Sequence, residues 1–185
     1  MRSIIGLTGA FGSGKSTAAS FFESKGYRKI YLSSFLENEA INRHLRITRK
    51  NLQDLGNEMR EKYGAGILMR RALESLKDEQ KIVIDGLRNI GEIEELKKEK
   101  GCVLLAIVAD KKVRFERLKK LKRREKLTWE LFERLDLRDL GVNEKITGLQ
   151  TAFCIALADA YIDSNSTIQD FEARLTKFIE IYGQQ

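Results

Sequence analysis

An α/β fold with helices on both sides of a parallel sheet is predicted by three features of the 185-residue chain. Short apolar runs alternate with longer segments of helical spacing, two of the runs are hydrophobic almost throughout, and a glycine-rich loop joins the first run to the first helical segment. Alternation of this kind gives parallel strands linked by crossover helices, and uninterrupted apolar strands are those covered on both faces.

The strand candidates are residues 3–8, 29–32, 81–85, 102–108 and 160–163. Helical spacing of apolar residues marks 15–25, 34–44, 49–62, 66–77, 90–99, 111–124, 128–138, 144–157 and 167–181. The chain has no proline, so these boundaries rest on glycine, charge and periodicity. With 42% hydrophobic and 33% charged residues it can bury one good core, and a single domain spanning 1–185 is expected.

Residues Gly9 to Ser16 read Gly-Ala-Phe-Gly-Ser-Gly-Lys-Ser, the pattern G-x-x-x-x-G-K-[ST] between a predicted strand and a predicted helix. Successive backbone N–H groups must turn inward to cradle a polyphosphate, and Gly9, Gly12 and Gly14 adopt the required backbone shapes cheaply. Ala10, Phe11 and Ser13 complete the loop. Lys15 reaches the β- and γ-phosphates in such a loop, the Ser16 hydroxyl is placed to ligate Mg²⁺, and Thr17 just behind it is placed to touch the α-phosphate.

In a parallel sheet, ligands gather at the carboxyl ends of the strands. The Gly9 loop, the Asp85-Gly86 corner and Asp110 all fall at strand ends and are expected on one rim. Asp85 closes a hydrophobic strand, where a carboxylate can orient waters on Mg²⁺ or hold the Ser16 hydroxyl; capping the next helix is the competing role. Arg88 follows at the same corner, and a guanidinium binds phosphate in a two-pronged geometry.

The net charge of +7 comes from one segment: residues 111–126 carry ten basic side chains against Glu116 and Glu125, and the remainder is close to neutral. A nucleic-acid partner would use such a segment, but only Phe115 interleaves with the basic residues, so a base-stacking platform is missing and this reading is not favoured. Cys102 and Cys154 stand in apolar surroundings without metal-ligand spacing and read as buried free thiols. His44 lies in a polar stretch with no nucleophile motif nearby. No run approaches the roughly 20 apolar residues of a membrane span, and the N-terminus enters a strand directly, which leads to the expectation of a cytoplasmic protein with no membrane partner.

Four stretches together resemble the nucleotide-kinase group of P-loop proteins: Gly-Leu-Thr-Gly-Ala-Phe-Gly-Ser-Gly-Lys-Ser-Thr, Asp85-Gly86-Leu87-Arg88, Arg114-Phe115-Glu116-Arg117, and Ala158-Asp159-Ala160-Tyr161-Ile162-Asp163. The group includes adenylate kinase, dephospho-coenzyme A kinase and a nucleotide-kinase-like branch related to both, and Thr48 to Arg60 is most similar to that branch. The resemblance covers almost the whole chain. It implies a three-layer αβα P-loop NTPase fold with a five-stranded parallel sheet, a helical acceptor-binding insertion at 34–78 and a basic lid at 111–138.

The implied activity is ATP-dependent phosphoryl transfer to a small nucleotide acceptor, a (deoxy)nucleoside monophosphate, with Mg²⁺. Carried over by position, Gly9 to Thr17 bind ATP phosphates, Arg88 lies where acceptor-phosphate arginines occur, and Arg117 and Arg124 fall in the lid, seven residues apart on one helical face. Arg49 and Arg60 in the insertion are candidates to hold the acceptor. Lys15, Asp85, Arg117 and Arg124 form the expected catalytic set, with Ser16 and Asp85 at the metal.

Two departures point away from adenylate kinase itself. Ser33-Ser34-Phe35-Leu36 replaces the Asp and Arg usual after the second strand, and Asp-Gly-Leu-Arg shortens the usual Asp-Gly-Phe-Pro-Arg. Transfer to a hydroxyl, as in dephospho-coenzyme A, is the alternative, with Asp85 or Glu58 as base. A nucleic-acid-linked ATPase and a nucleotide-binding switch are the others.

Overall fold

A computed structural model describes residues 2–121 and 127–183. Strands β1 (Ser3–Thr8), β2 (Arg28–Tyr31), β3 (Lys81–Asp85), β4 (Cys102–Val108) and β5 (Ala160–Asp163) pair in the order β2-β3-β1-β4-β5, every pair parallel. Each predicted strand is present within one residue of its expected bounds. The chain leaves β1 toward β2 and β3 on one side and later fills β4 and β5 on the other. The carboxyl end of β1 is therefore the point where the strand order reverses, which is where open α/β sheets bind ligands.

The helices are α1 (Lys15–Ser24), α2 (Leu32–Asn42), α3 (Arg49–Tyr63), α4 (Ile67–Ser75), α5 (Ile90–Leu96), α6 (Lys111–Lys120), α7 (Trp129–Leu140), α8 (Thr151–Ala156) and α9 (Ile168–Tyr182). Alternation along β1 divides them between two faces. Ile4 packs on one side with residues of α2, α3, α4, α5 and α8, including Leu36, Met59, Met69, Leu96 and Cys154. Ile5 and Leu7 pack on the other with Phe22 of α1 and Phe171, Leu175 and Phe178 of α9. The result is the expected three-layer αβα arrangement.

A third, smaller core positions the phosphate loop. Phe11, at the tip of the loop, packs with Leu118 of α6 and Phe132 of α7, flanked by Phe115 and Trp129. The basic segment thus contributes Phe115 and Leu118 to the cluster that grips the loop, and its Arg114 Nη1 donates to the Phe11 carbonyl at 3.0 Å.

One helix is much shorter than expected. Of the 144–157 segment only Thr151–Ala156 is helical. The preceding carbonyls and amides are taken by a neighbouring loop: Asn89 Nδ2 donates to the carbonyls of Ile146 (3.1 Å) and Gly148 (2.7 Å), and the Gln150 N–H donates to the Arg88 carbonyl at 2.6 Å. Tertiary hydrogen bonds replace the helical ones, which periodicity does not reveal. Among the described residues no helix is long and apolar enough to cross a membrane.

Candidate active site

The loop between β1 and α1 has the geometry that its glycines demand. Gly9 has φ +145°, and a Cβ there would lie 2.3 Å from the Ile107 carbonyl oxygen. Gly14, the residue before α1, is left-handed at φ 98°. Any side chain at Gly9 would push the loop off β4.

Lys15 is 8% exposed, and its Nζ donates to the carbonyls of Gly9 (2.6 Å) and Ala10 (3.0 Å). Burial draws its pKa from 10.5 down to about 8; Asp85 and Asp139 oppose the shift, and Arg88 and Arg49 reinforce it. Ser16 Oγ donates to Asp85 Oδ2 at 3.3 Å, joining α1 to the end of β3. Asp85 is 5% exposed, and burial raises its pKa above 3.8 against the pull of Lys15, Arg88 and Ser16. Its Oδ1 has no hydrogen-bond partner among the described residues. The cap of the next helix is Asn89, so the alternative role for Asp85 falls away.

A hydroxyl and a carboxylate with an uncommitted oxygen make a hard-oxygen pair suited to Mg²⁺. Among the described residues no group of three or more His, Cys, Asp or Glu could hold a metal alone. The cation would therefore need ligand phosphates as well, which fits the nucleotide-dependent Mg²⁺ expected of this loop.

A cavity of about 820 Å³ runs from the phosphate loop to the helices between β2 and β3. Lys15, Ser16 and Asp85 line it together with Arg49, Arg60 and Arg88. The three predicted arginines thus reach one cavity from two separate elements, with different surroundings.

Arg49 stacks on the Phe11 ring, 3.8 Å from its centroid, and its Nη2 donates to Asp139 Oδ1 at 2.8 Å. Arg88 Nε stands 3.7 Å from the same oxygen. Asp139 has no exposed surface; burial works against its charge, but Arg88, Arg49, Lys15 and Arg114 outweigh burial and hold its pKa below 3.8. One carboxylate on α7 therefore fixes two arginines from the far side of the cavity.

Arg60 is held differently. Its Nε and Nη2 donate to Glu92 Oε1 at 3.0 and 2.8 Å, and both side chains are buried. Glu92 Oε2 accepts from the N–H groups of Arg88 (2.7 Å) and Asn89 (3.1 Å). This pair ties α3 to the corner that carries Arg88. The expected acceptor contact of Arg60 is thus accompanied by a structural commitment that leaves only Nη1 without a partner among the described residues.

Arg117 departs from its expected setting. Its guanidinium donates to Ser164 Oγ at 2.9 Å and to the Ser164 carbonyl, and Ser164 Oγ donates to the Ser13 carbonyl at 2.7 Å. Arg117 is docked beside the phosphate loop and lines both the main cavity and a second one of about 220 Å³ with Gly14, Thr17, Ser164 and Thr167. Helix α6 ends at Lys120 with Leu121 extended. Arg124 lies outside the described residues.

Two other expectations are corrected. Asp110 is exposed and its backbone N–H is tied to Asn165 Oδ1 at 2.8 Å, away from the cavity lining. Glu58 is also exposed and pairs with Arg43 at 2.8 Å, because α3 turns that position to solvent. His44 is exposed, as expected, and both cysteines are free, with burial raising their pKa values.

Sequence reasoning missed Asp139, Asp136, Glu92, Arg114 and Ser164. Asp136 forms a buried bidentate pair with Arg114, whose Nη1 also donates to the Phe11 carbonyl at 3.0 Å. Asn89-x-x-Glu92 is a capping-box pattern legible in the sequence, and Asp136 and Asp139 stand three apart on one helical face. The partners across the fold left no local signal.

Known proteins place this geometry. The AAA domain family profile matches residues 5–138. A UPF0200 protein of Thermococcus kodakarensis is 30% identical over 185 residues, which span 96% of each chain. A crystal structure from Thermus thermophilus is similar with a TM-score of 0.65 at 20% identity, over 97% of both chains. Shikimate kinase from Acinetobacter baumannii, solved with shikimate, is similar with a TM-score of 0.61 at 17% identity, over 98% of this chain and 94% of that one. At these identities the structural likeness is one of fold, shared with P-loop kinases. The phosphate loop at the sheet's reversal point and the full-length similarity lead to one assignment: the chain belongs to the UPF0200 family, a nucleotide-kinase-like group of P-loop proteins.

Proposed function

We propose that the protein is an ATP-dependent kinase that transfers the γ-phosphoryl group to a small nucleotide acceptor, a (deoxy)nucleoside monophosphate. The observation that carries this reading is the one cavity lined by Lys15, Ser16 and Asp85 together with Arg49 and Arg88. Gly9 to Thr17 would hold the ATP phosphates, Ser16 with Asp85 would hold Mg²⁺, and the smaller cavity beside Arg117 and Thr167 would take the donor base. When bound, the cation neutralises charge on the phosphate oxygens.

The chain's own residues supply position and charge. Lys15 leaves the Gly9 and Ala10 carbonyls for phosphate oxygens, and its buried ammonium gains a counter-charge. Arg49 and Arg88, held by Asp139, bring the acceptor phosphate toward Lys15. An acceptor oxygen bonds to the γ-phosphorus as the bridging bond to ADP breaks. No side chain has to take a proton when that oxygen already belongs to a phosphate. Residues 34–78 would serve as the acceptor-binding insertion and 111–138 as the lid.

One observation favours a second reading. Asp85 is buried, its proton affinity is raised, and Oδ1 has no partner among the described residues, which suits a base for a hydroxyl acceptor. Incubation with Mg²⁺-ATP and a panel of nucleoside monophosphates, dephospho-coenzyme A and hydroxy acids, with ADP as readout, decides between them. Stimulation by monophosphates alone supports the first reading, stimulation by hydroxyl acceptors alone supports the second, and a slow rate indifferent to all of them refutes both.

A further inference from the structure

The acceptor half of the cavity contains a polar side chain that the phosphate chemistry does not use. Gln53, on α3, is 4% exposed and lines the cavity, yet neither its Oε1 nor its Nε2 has a hydrogen-bond partner among the described residues. It shares one face of α3 with Arg49, four residues before it, and Arg60, seven after it. Between them Gly56 leaves room for Arg60 and Leu36: a Cβ there would stand 3.2 Å from Arg60 Nη1 and 3.3 Å from Leu36 Cδ1.

The cavity lining includes an apolar set, Leu32, Leu36, Leu52, Leu68 and Leu149, together with the polar Tyr31, Ser33, Glu37 and Thr48. Leucine at position 53 would extend that wall at no cost in hydrogen bonding. A carboxamide buried there with both ends unpaired is unfavourable for the protein alone. Its chemistry is specific: a donor and an acceptor side by side in one plane, which match a paired donor and acceptor on the edge of a nucleobase. Apolar walls suit the two faces of a flat ring. Arg49 stands one helical turn from Gln53, about 6 Å along the axis, so a phosphate group and a base edge can be met by the same helix.

We infer that Gln53 is the acceptor-selecting residue of this site and reads the donor–acceptor edge of a nucleobase, while Arg49 and Arg88 take the acceptor's phosphate. The inference rests on the kinase reading above and narrows its substrate to a base-bearing acceptor. It also separates roles within α3, where Arg49 serves charge, Gln53 serves identity and Arg60 serves the frame.

The test compares the full chain with its Gln53→Leu and Gln53→Glu variants. Adenosine, cytidine, guanosine and uridine 5′-monophosphates are the acceptors, alongside shikimate as a base-free hydroxyl acceptor. Gln53→Leu should raise the KM for the preferred monophosphate about tenfold or more, as expected for two lost hydrogen bonds, and leave the KM for ATP within about twofold. The same variant should melt no lower than the wild type, because it removes an unpaired buried amide. Gln53→Glu presents acceptors only and should shift the ranking toward guanine, whose edge offers adjacent N–H donors.

An unchanged acceptor KM and an unchanged base ranking in both variants overturn the inference and leave the kinase standing. A lowered melting temperature in Gln53→Leu with unchanged ranking assigns Gln53 to the frame instead. Transfer to shikimate but to no monophosphate overturns the nucleobase assignment and the monophosphate reading, and leaves a hydroxyl-acceptor kinase standing. Transfer by the wild type to no acceptor at all overturns the kinase reading and this inference with it.

Discussion

Glu92 offers the sharpest test of how the acceptor side is built. It has no exposed surface and accepts four hydrogen bonds, two from Arg60 on α3 and two from the backbone of Arg88 and Asn89. Glu92→Ala removes all four, leaving a guanidinium that is 3% exposed without its counter-charge. Breaking a buried pair from one side costs about 3–5 kcal/mol, a large part of the roughly 5–15 kcal/mol that holds a domain folded. At roughly 2–4 °C per kcal/mol for a chain of this size, the melting temperature should fall by about 6–20 °C. Urea unfolding followed by far-ultraviolet circular dichroism should show a lower midpoint with an unchanged slope.

The double variant Arg60→Leu with Glu92→Leu should recover part of the loss, since no unpaired charge remains, while the two backbone N–H groups stay unsatisfied. Glu92→Ala should also loosen Arg88 and raise the acceptor KM more than the KM for ATP. A loss below about 1 kcal/mol, the scale of an exposed ion pair, would refute the view that this carboxylate ties the helices to the catalytic corner.

Other expectations concern the loop and its supports. Lys15→Met should abolish ADP formation while the protein keeps its fold, and it should flatten a specific pH dependence. With a folded pKa of about 8 against 10.5 unfolded, the burial penalty on Lys15 is fully present below pH 8 and is relieved as pH rises from about 8 to 10.5. Wild-type stability should therefore gain over that window relative to Lys15→Met, as read by denaturant midpoints at several pH values. Phe132→Ala, which empties the centre of the aromatic cluster under Phe11, should cost about 3–5 kcal/mol and weaken nucleotide binding measured by calorimetry. Asp139→Asn should raise the acceptor KM with little change in that for ATP, because Arg49 and Arg88 lose their shared anchor. An unaltered acceptor KM would show that the two arginines hold position without it.

Much of the site was legible because its signals are local. The glycine spacing from Gly9 to Gly14 needs no partner to be read, and Asp85 at the end of an apolar strand falls beside the loop once the strands are parallel. Arg88 was read from its corner after a strand end and Arg49 from the resemblance, and both line the cavity. Arg117 lies at the cavity as expected, but spacing along a helix says nothing of Ser164, 47 residues away, which holds it beside the loop. Glu58 and Arg60 lie two residues apart on one helix, yet one faces solvent and the other the core. Helical spacing puts them on opposite faces, and the packing of α3 decides which face is buried.

Local chemistry determined the α/β class, the strand bounds, the phosphate loop and the position of its lysine, since apolar runs and glycine spacing act within a few residues. Tertiary structure decided which charges are buried together. Asp139 and Glu92 became the anchors of the acceptor arginines, and residues 144–150 gave up their helix, because their partners lie tens of residues away and the energy of a buried charge depends on those partners.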